Sequence, residues 1–306
     1  SMALTGLLLH LSRLHHWRLV LWHGDHRWRE ESAAQAAELE RWALSQGLPI
    51  HIERAGAAPA DEAAARHWRY SCLSRQASGL GCRHVVTGHT ANDRAETLLA
   101  NLARGSHRRG LASLPMLRPL GAPAADGTLL VRPLLVFSRE ETGHICSEQG
   151  LPVWEDCSNQ DPRFQRNRIR AEVMPVLEAL HPGAARRISG LASRLEEEAS
   201  EEEELIALAL GGLGVTPESP GLARRRLIGL RHANRRRLLR HWLEAQGVPI
   251  PTARLLEQLS DRLAKPGSGE QSLAAGWRLC WDRSTLVVLH AAAHGEERHG
   301  PIEPGK

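Results

Sequence analysis

Apolar residues along the chain fall into short compact runs, separated by longer stretches in which they recur every three or four positions. RLVLW (18–22), PIHI (49–52), HVV (84–86) and LLVRPLL (129–135) suit buried strands. Between them the spacing predicts helices over 3–14, 32–46, 61–78 and 93–103. Ser32 reads as one N-cap and Thr90 or Asn92 as another; Ser138 with Glu141 three residues later reads as a capping box opening a further helix. Strands alternating with helices predict an α/β fold with a doubly wound parallel sheet. HPG (181–183) breaks the pattern, and a long helix with an acidic block follows, read as a solvated linker face. Beyond it the chain changes character. Leu227, Leu230, Leu238 and Trp242 share one helical side, and Trp277, Leu279 and Trp281 alternate ahead of a turn at Asp282–Ser284. The expected organisation is a sheet domain over 1–183, a linker helix over 184–214, a smaller and mostly helical domain over 215–290, and a disordered tail over 291–306.

Composition narrows the class. At 306 residues the chain has room for two cores, and its net charge of +4 is carried by arginine, with Lys265 and Lys306 the only lysines. That excess suits an acidic partner. Five scattered cysteines with no CxxC pair predict reduced thiols in a cytosol and no zinc ribbon or iron–sulfur site. The apolar opening ALTGLLLHLSRL lacks a basic flank and reads as an amphipathic helix, and no run reaches membrane-spanning length. The expectation is a cytoplasmic protein.

Four polar clusters fall at or beside the carboxyl ends of predicted strands, where open α/β sheets bind ligands. HGDHRWR supplies His23, Asp25, His26 and Arg29, and ARHWRY supplies Arg66 and Arg69. GHTANDRAET supplies His89, Asp93 and Glu96, the two carboxylates three residues apart on one helical face. WEDCSNQDPRFQRNRIR supplies Asp156, Ser158, Asn159, Asn167, Arg168 and Arg170. The residues alone leave two enzyme chemistries open. Histidine and aspartate could hold two metal ions in a phosphoesterase. Alternatively, arginines and helix N-termini could hold nucleotide phosphates while carboxylates grip Mg²⁺ and a cationic substrate. The surplus of arginine favours the second.

In order along the chain, H-x-D-H-x-x-R, A-R-x-x-R-Y, G-H-x-x-N-D-x-x-E-T, R-G-S-x-x-x-G-L, R-P-L-L and W-x-D-x-S-N-x-D-x-x-x-x-R-N-x-I-R resemble the tRNA(Ile)-lysidine synthase family of PP-loop ATP pyrophosphatases. The likeness spans roughly residues 1–210, and more loosely the basic 215–290 region, which resembles the family's substrate-binding domain. It implies an ATP-dependent ligase that joins free L-lysine to the wobble cytidine of a CAU-anticodon tRNA(Ile). It further implies Ser1, His23, Asp25, His26, Arg29, His89, Asn167, Arg168 and Arg170 on the nucleotide or tRNA side, with Arg66 and Arg69 at phosphate. Asp93 and Glu96 are implied to hold the lysine ammonium or Mg²⁺, with Asp93 the metal ligand. A homodimer is left open. Rivals are a tRNA thiolation enzyme, which needs paired cysteines, a tRNA-binding protein without catalysis, and the phosphoesterase.

Two departures stand out. The family's phosphate loop reads S-G-G-x-D-S, and Ser1 aligns with its last serine, so the chain is expected to begin inside that loop and to lack ATP turnover until S-G-G-x-D is restored. The family's R-G-S-G reads R-G-S-H, with His107 replacing a glycine. At the sequence level Asp93 also reads as an exposed first-turn position, whose neutralisation costs under about 1 kcal/mol.

Overall fold

A computed structural model describes residues 1–27, 32–121, 127–154, 165–215 and 221–291. Arg29, Asp156, Ser158, Asn159 and the expected tail from residue 292 lie outside the described residues. The chain divides into two compact units, Ser1–Ala199 and Ser200–Lys306.

In the first unit, α1 (Met2–His15) precedes β1 (Leu21–Asp25), α2 (Ser32–Ser45), β2 (Ile50–Arg54) and α3 (Glu62–Gly79). Next come β3 (His84–Val86), α4 (Ala91–Ala103), α5 (Arg108–Leu111), β4 (Leu117–Pro119), β5 (Leu129–Val131) and α6 (Arg139–Glu148). β1 pairs parallel with β2 and β3 parallel with β5, while β4 runs antiparallel along the other edge of β5. The parallel pairing expected from the alternation is present, divided between a two-stranded sheet of β1 and β2 and a three-stranded sheet in the order β3-β5-β4. Two boundaries move. β1 starts at Leu21 rather than Arg18, which brings His23 and Asp25 into the strand. LLVRPLL is strand only to Val131, because Pro133 has no N–H for a ladder and opens a 3₁₀ turn over Pro133–Val136. The capping box is formed: Ser138 Oγ accepts from Glu141 N (3.2 Å), and Ser138 N donates to Glu141 Oε2 (2.7 Å).

α7 (Gln165–Arg168) runs through a π turn over Ile169–Val173 into α8 (Met174–Leu180), and α9 (Ala184–Gly212) follows. Most of the acidic block of α9 is solvated as expected, with Glu197, Glu198, Glu201, Glu203 and Glu204 exposed, but Glu196 is drawn inward. Buried Arg94, on α4, donates to Glu196 at 2.5 Å, to Ser193 Oγ at 2.7 Å and to Ser113 O at 2.9 Å. Glu196, with the Ser193 hydroxyl, therefore ties α9 to α4, while Glu198 and Glu202 meet Arg108 and Arg237.

The second unit has its own core, in which Leu227, Leu239, Trp242, Leu259, Leu279 and Leu286 are sealed from solvent. It is built from α10 (Arg224–Ile228), α11 (His232–Ala245), α12 (Ala253–Ala264) and a four-stranded antiparallel sheet. That sheet comprises β6 (Leu222–Ala223), β7 (Gly269–Ser272), β8 (Trp277–Trp281) and β9 (Thr285–His290), in the order β6-β9-β8-β7. The predicted turn closes as expected, with Asp282 Oδ1 accepting from Ser284 N and Thr285 N, each at 2.7 Å. Buried Arg224 donates to the carbonyls of Leu263, Lys265, Gly267 and Asp282, tying α12 to the sheet without any carboxylate.

Candidate functional site

α4 begins where β3 ends, and the turn between them is fixed by a reciprocal cap at Thr90. Asp93 Oδ2 accepts from Thr90 N (2.7 Å) and Thr90 Oγ1 (2.9 Å), which leaves Oδ1 for other partners. One turn on, Glu96 is wholly buried. A buried carboxylate must be paired, and here three arginines do so. Arg170 grips Glu96 with Nε (2.8 Å) and Nη2 (2.9 Å), the bidentate fork geometry. Arg166 bridges the two acids, Nε to Glu96 (3.0 Å) and Nη2 to Asp93 Oδ1 (2.8 Å). Arg139, from the start of α6, reaches Glu96 at 3.2 Å and Asp93 at 3.4 Å. Burial raises the pKa of Asp93, but Arg166, the Thr90 N–H and Arg139 outweigh it and hold the carboxyl below its ordinary value.

Arg166 and Arg170 are four apart, so one face of α7 and the π turn carries both guanidinium groups to α4. Arg168 lies between them and points elsewhere: it is exposed and pairs with Glu172 at 2.8 Å. The expectation for Arg168 thus finds no support in its placement, and Arg166, which sequence reasoning passed over, occupies the position. The spacing R-x-x-x-R was the signal that could have found it.

The cluster opens on a cavity of about 790 Å³, which Ser1, His23, His26, Arg69, His89 and Asn167 also line. Ser1 precedes α1 and lies so close to Gly88 that a Cβ there would sit 3.1 Å from Ser1 Cα. At the end of β1, Asp25 also lines the cavity; it is buried, accepts from Arg27 N (2.8 Å) and meets Arg54 at 3.4 Å. His26 instead meets Arg69 Nη2 at 3.0 Å and packs edge-on to Trp68, whose ring also lies against Trp22. Only glycine fits at position 24, because a Cβ would come within 2.4 Å of the Trp22 ring. Neither Trp22 nor Trp68 was singled out from the sequence, since lone tryptophans on a strand and a helix read as core. His107, where the family has glycine, caps α5 with φ −66°, while Gly105 carries the positive φ of that loop, so the replacement is unstrained.

Burial, with the Arg69 charge, depresses the His26 pKa to about 4 against the opposing pull of Asp25. Burial likewise takes His89 to about 4, opposed by Asp93 and assisted by Arg132, Arg166 and Arg66. Both imidazoles are neutral at physiological pH. An unfolded histidine takes up its proton below about 6.5, where these cannot, so the unfolded state binds more protons and stability falls as pH drops from 6.5 towards 4. Urea unfolding across that range is expected to show this limb, and His89→Gln to flatten it. A limb of unchanged slope in the variant would place the proton uptake elsewhere.

Among the described residues no three His, Cys, Asp or Glu side chains come together as a metal site, so the two-ion phosphoesterase finds no ligand set there. No helix of the described residues is long and apolar enough to cross a membrane.

Two family descriptions match the chain: the PP-loop domain over residues 1–177 and the TilS substrate binding domain over 222–287. A tRNA(Ile)-lysidine synthase of Parasynechococcus marenigrum is 51% identical over 96% of this chain and 86% of its own length. The chain belongs to the tRNA(Ile)-lysidine synthase family. Another member, from Prochlorococcus marinus strain SARG, is 40% identical over 95% of this chain and 87% of its own. Among solved structures, a U34-tRNA thiolase, NcsA from Methanococcus maripaludis, shows 15% identity and a TM-score of 0.47 over 62% of this chain and 67% of that one. That score is too low to carry weight. Family membership accounts for the order in which the motifs recur. The three-arginine clamp on Asp93 and Glu96 is a property of this structure.

Proposed function

We propose that this chain is a tRNA(Ile)-lysidine synthase, an ATP-dependent ligase that joins free lysine to C2 of the wobble cytidine in a CAU-anticodon tRNA(Ile). One observation carries the reading: the PP-loop domain and the TilS substrate binding domain occur in one chain, in that order, within a near full-length likeness to enzymes of that name. In the first step the C2 oxygen attacks the α-phosphorus of ATP, an O–P bond forms, and pyrophosphate leaves. In the second, a lysine amine attacks C2, loses a proton, and AMP departs with the oxygen. Activation turns a poor leaving oxygen into a good one, so catalysis is chiefly positioning and charge stabilisation.

The site offers both signs that a free amino acid needs. The ammonium of lysine is proposed to meet Asp93 Oδ1, and its carboxylate the guanidinium groups of Arg139 and Arg166, which stand against that oxygen at 3.4 and 2.8 Å. The aromatic wall of Trp22, Trp68 and His26 offers a nucleobase an apolar face. Mg²⁺ accompanies ATP phosphates in this reading, but Asp93 does not fit as its ligand. Its Oδ2 is spent on Thr90, and its Oδ1 is the oxygen given in this reading to the lysine ammonium.

The test is to express the reading frame with whatever it encodes ahead of Ser1, and incubate the protein with ATP, lysine and a CAU-anticodon tRNA(Ile) transcript. Nuclease digestion and mass spectrometry are expected to show cytidine plus lysine minus water at the wobble position. Tight tRNA binding with no such nucleoside and no AMP would leave the non-catalytic binder instead.

For tRNA docking the structure shifts attention within the second unit. Arg236, Arg237 and Arg240 stand among acids: Arg236 meets Glu257 (3.5 Å), Arg237 meets Glu202 (2.5 Å) and Arg240 meets Glu244 (2.7 Å). Arg235 is spent on the carbonyls of Ile228, Leu230 and Ser260. Exposed Arg225 and Arg231 have no such carboxylate among the described residues, and they are the proposed phosphate contacts. Arg225→Ala with Arg231→Ala is expected to flatten the log–log salt dependence of tRNA affinity by about one unit for each phosphate no longer neutralised, and Arg236→Ala with Arg240→Ala by less. Equal slopes for both pairs would refute this assignment.

A further inference from the structure

The ARHWRY segment of α3 carries more than arginines. Tyr70, the only tyrosine of the chain, packs its ring beside the Leu73, Leu120 and Leu130 cluster and sends its hydroxyl to buried Arg132, whose Nη2 donates to it at 3.4 Å. The guanidinium carbons of Arg66 and Arg118 lie over the same ring, 5.0 and 4.9 Å from its centroid. Three cations therefore converge on one phenol, and none of them meets a carboxylate among the described residues. Arg118 donates to Pro119 O (3.0 Å) and Arg132 to Pro115 O (2.6 Å), while the Arg132 Nε, sealed from solvent, finds no acceptor among those residues.

A cation buried without a counter-ion costs several kcal/mol, which a folded protein bears when a ligand anion supplies the missing charge. The hydroxyl geometry agrees. Because Tyr70 accepts from Arg132, its own proton is free to be donated, and no acceptor for it stands among the described residues. Arg66 and Tyr70 both line the cavity, so that proton and the Arg66 guanidinium reach the space where substrates enter.

We propose that Tyr70, Arg66, Arg118 and Arg132 form a phosphate site separate from the Asp93–Glu96 cluster, with Tyr70 as hydrogen-bond donor, Arg66 and Arg118 as the charged arms and Arg132 as the buried charge that aims the hydroxyl. The choice of phosphate over another anion rests on the function proposed above, and the phosphate comes either from the ATP tail released as pyrophosphate or from the tRNA backbone. Burial raises the Tyr70 pKa, yet Arg66, the Arg132 hydrogen bond and the Arg132 and Arg118 charges together hold it below its ordinary value, as an unfilled cationic site requires.

The single tyrosine makes the site readable by its own absorbance. In the full chain, phenolate difference spectra across a pH series report Tyr70 alone, and saturating pyrophosphate or an anticodon stem-loop is expected to push its ionisation to higher pH. Calorimetry then separates the sources. If the phosphate belongs to ATP, Arg118→Gln and Tyr70→Phe each weaken inorganic pyrophosphate binding about tenfold and leave the stem-loop salt slope intact. If it belongs to tRNA, Arg118→Gln lowers that slope by about one and pyrophosphate affinity is unchanged. Tyr70→Phe keeps the ring packing and guards against a mere folding defect in Arg118→Gln. No spectral response to either ligand, with both affinities unchanged in both variants, overturns the proposal. These measurements need no turnover, so a chain that binds phosphate here but forms no lysidine would refute the function and not the site.

Discussion

Glu96→Gln is expected to cost about 3–5 kcal/mol of folding stability, the range for removing one partner of a buried ion pair. Glutamine keeps the shape of the side chain but removes the charge that Arg139, Arg166 and Arg170 all address. Three guanidinium groups would then share Asp93 alone, and the bidentate grip of Arg170 would lose the anion that orders it. Urea unfolding measures the loss, and because the first unit has its own core the second should hold its midpoint. Lysine-dependent AMP release should vanish with it. A variant with wild-type stability would mean that the carboxylate pairs with solvent, against its complete burial.

Asp93→Asn separates chemistry from scaffolding. The amide oxygen of asparagine can still cap Thr90, so α4 should start in the same place. What disappears is the charge facing Arg139 and Arg166. The expected stability loss is about 1–3 kcal/mol, more than an exposed first-turn site implies, because the side chain is only 17% exposed and ion-paired. The sign with pH is fixed. A carboxyl whose folded pKa is lowered stabilises above its unfolded value of about 3.8 and loses that contribution as pH falls through the folded value. The difference between wild type and variant should therefore be full at neutral pH and shrink in acid. Ligation should drop by at least about a hundredfold, the scale of removing the charged partner of a substrate ammonium in a dry site. If the protein purified at neutral pH keeps full activity, the carboxylate is scaffolding only, and lysine must be sought elsewhere in the cavity.

By itself the sequence determined the alternation of strands and helices, an N-cap at Thr90 or Asn92, the capping box at Ser138, the hairpin turn at Asp282 and the polar clusters beside strand ends, together with the motif order that marks the family. These are local facts, written in periods of two or three to four residues and in caps a few residues wide, so they survive without any tertiary context. The three-dimensional fold alone decided which charges meet. Arg166 and Arg170 lie some seventy positions from Glu96, and Arg139 more than forty, so no spacing rule links them. The same distance hid the counter-charges of the second unit, where Arg236 meets Glu257 and Arg237 meets Glu202 from other helices. It also hid the meeting of Tyr70, Arg118 and Arg132, which come from a helix, an edge strand and the end of its neighbour. Electrostatic energy depends on separation and burial, and both are set by packing, so a sequence can name its charged residues while only the fold says which of them are already neutralised.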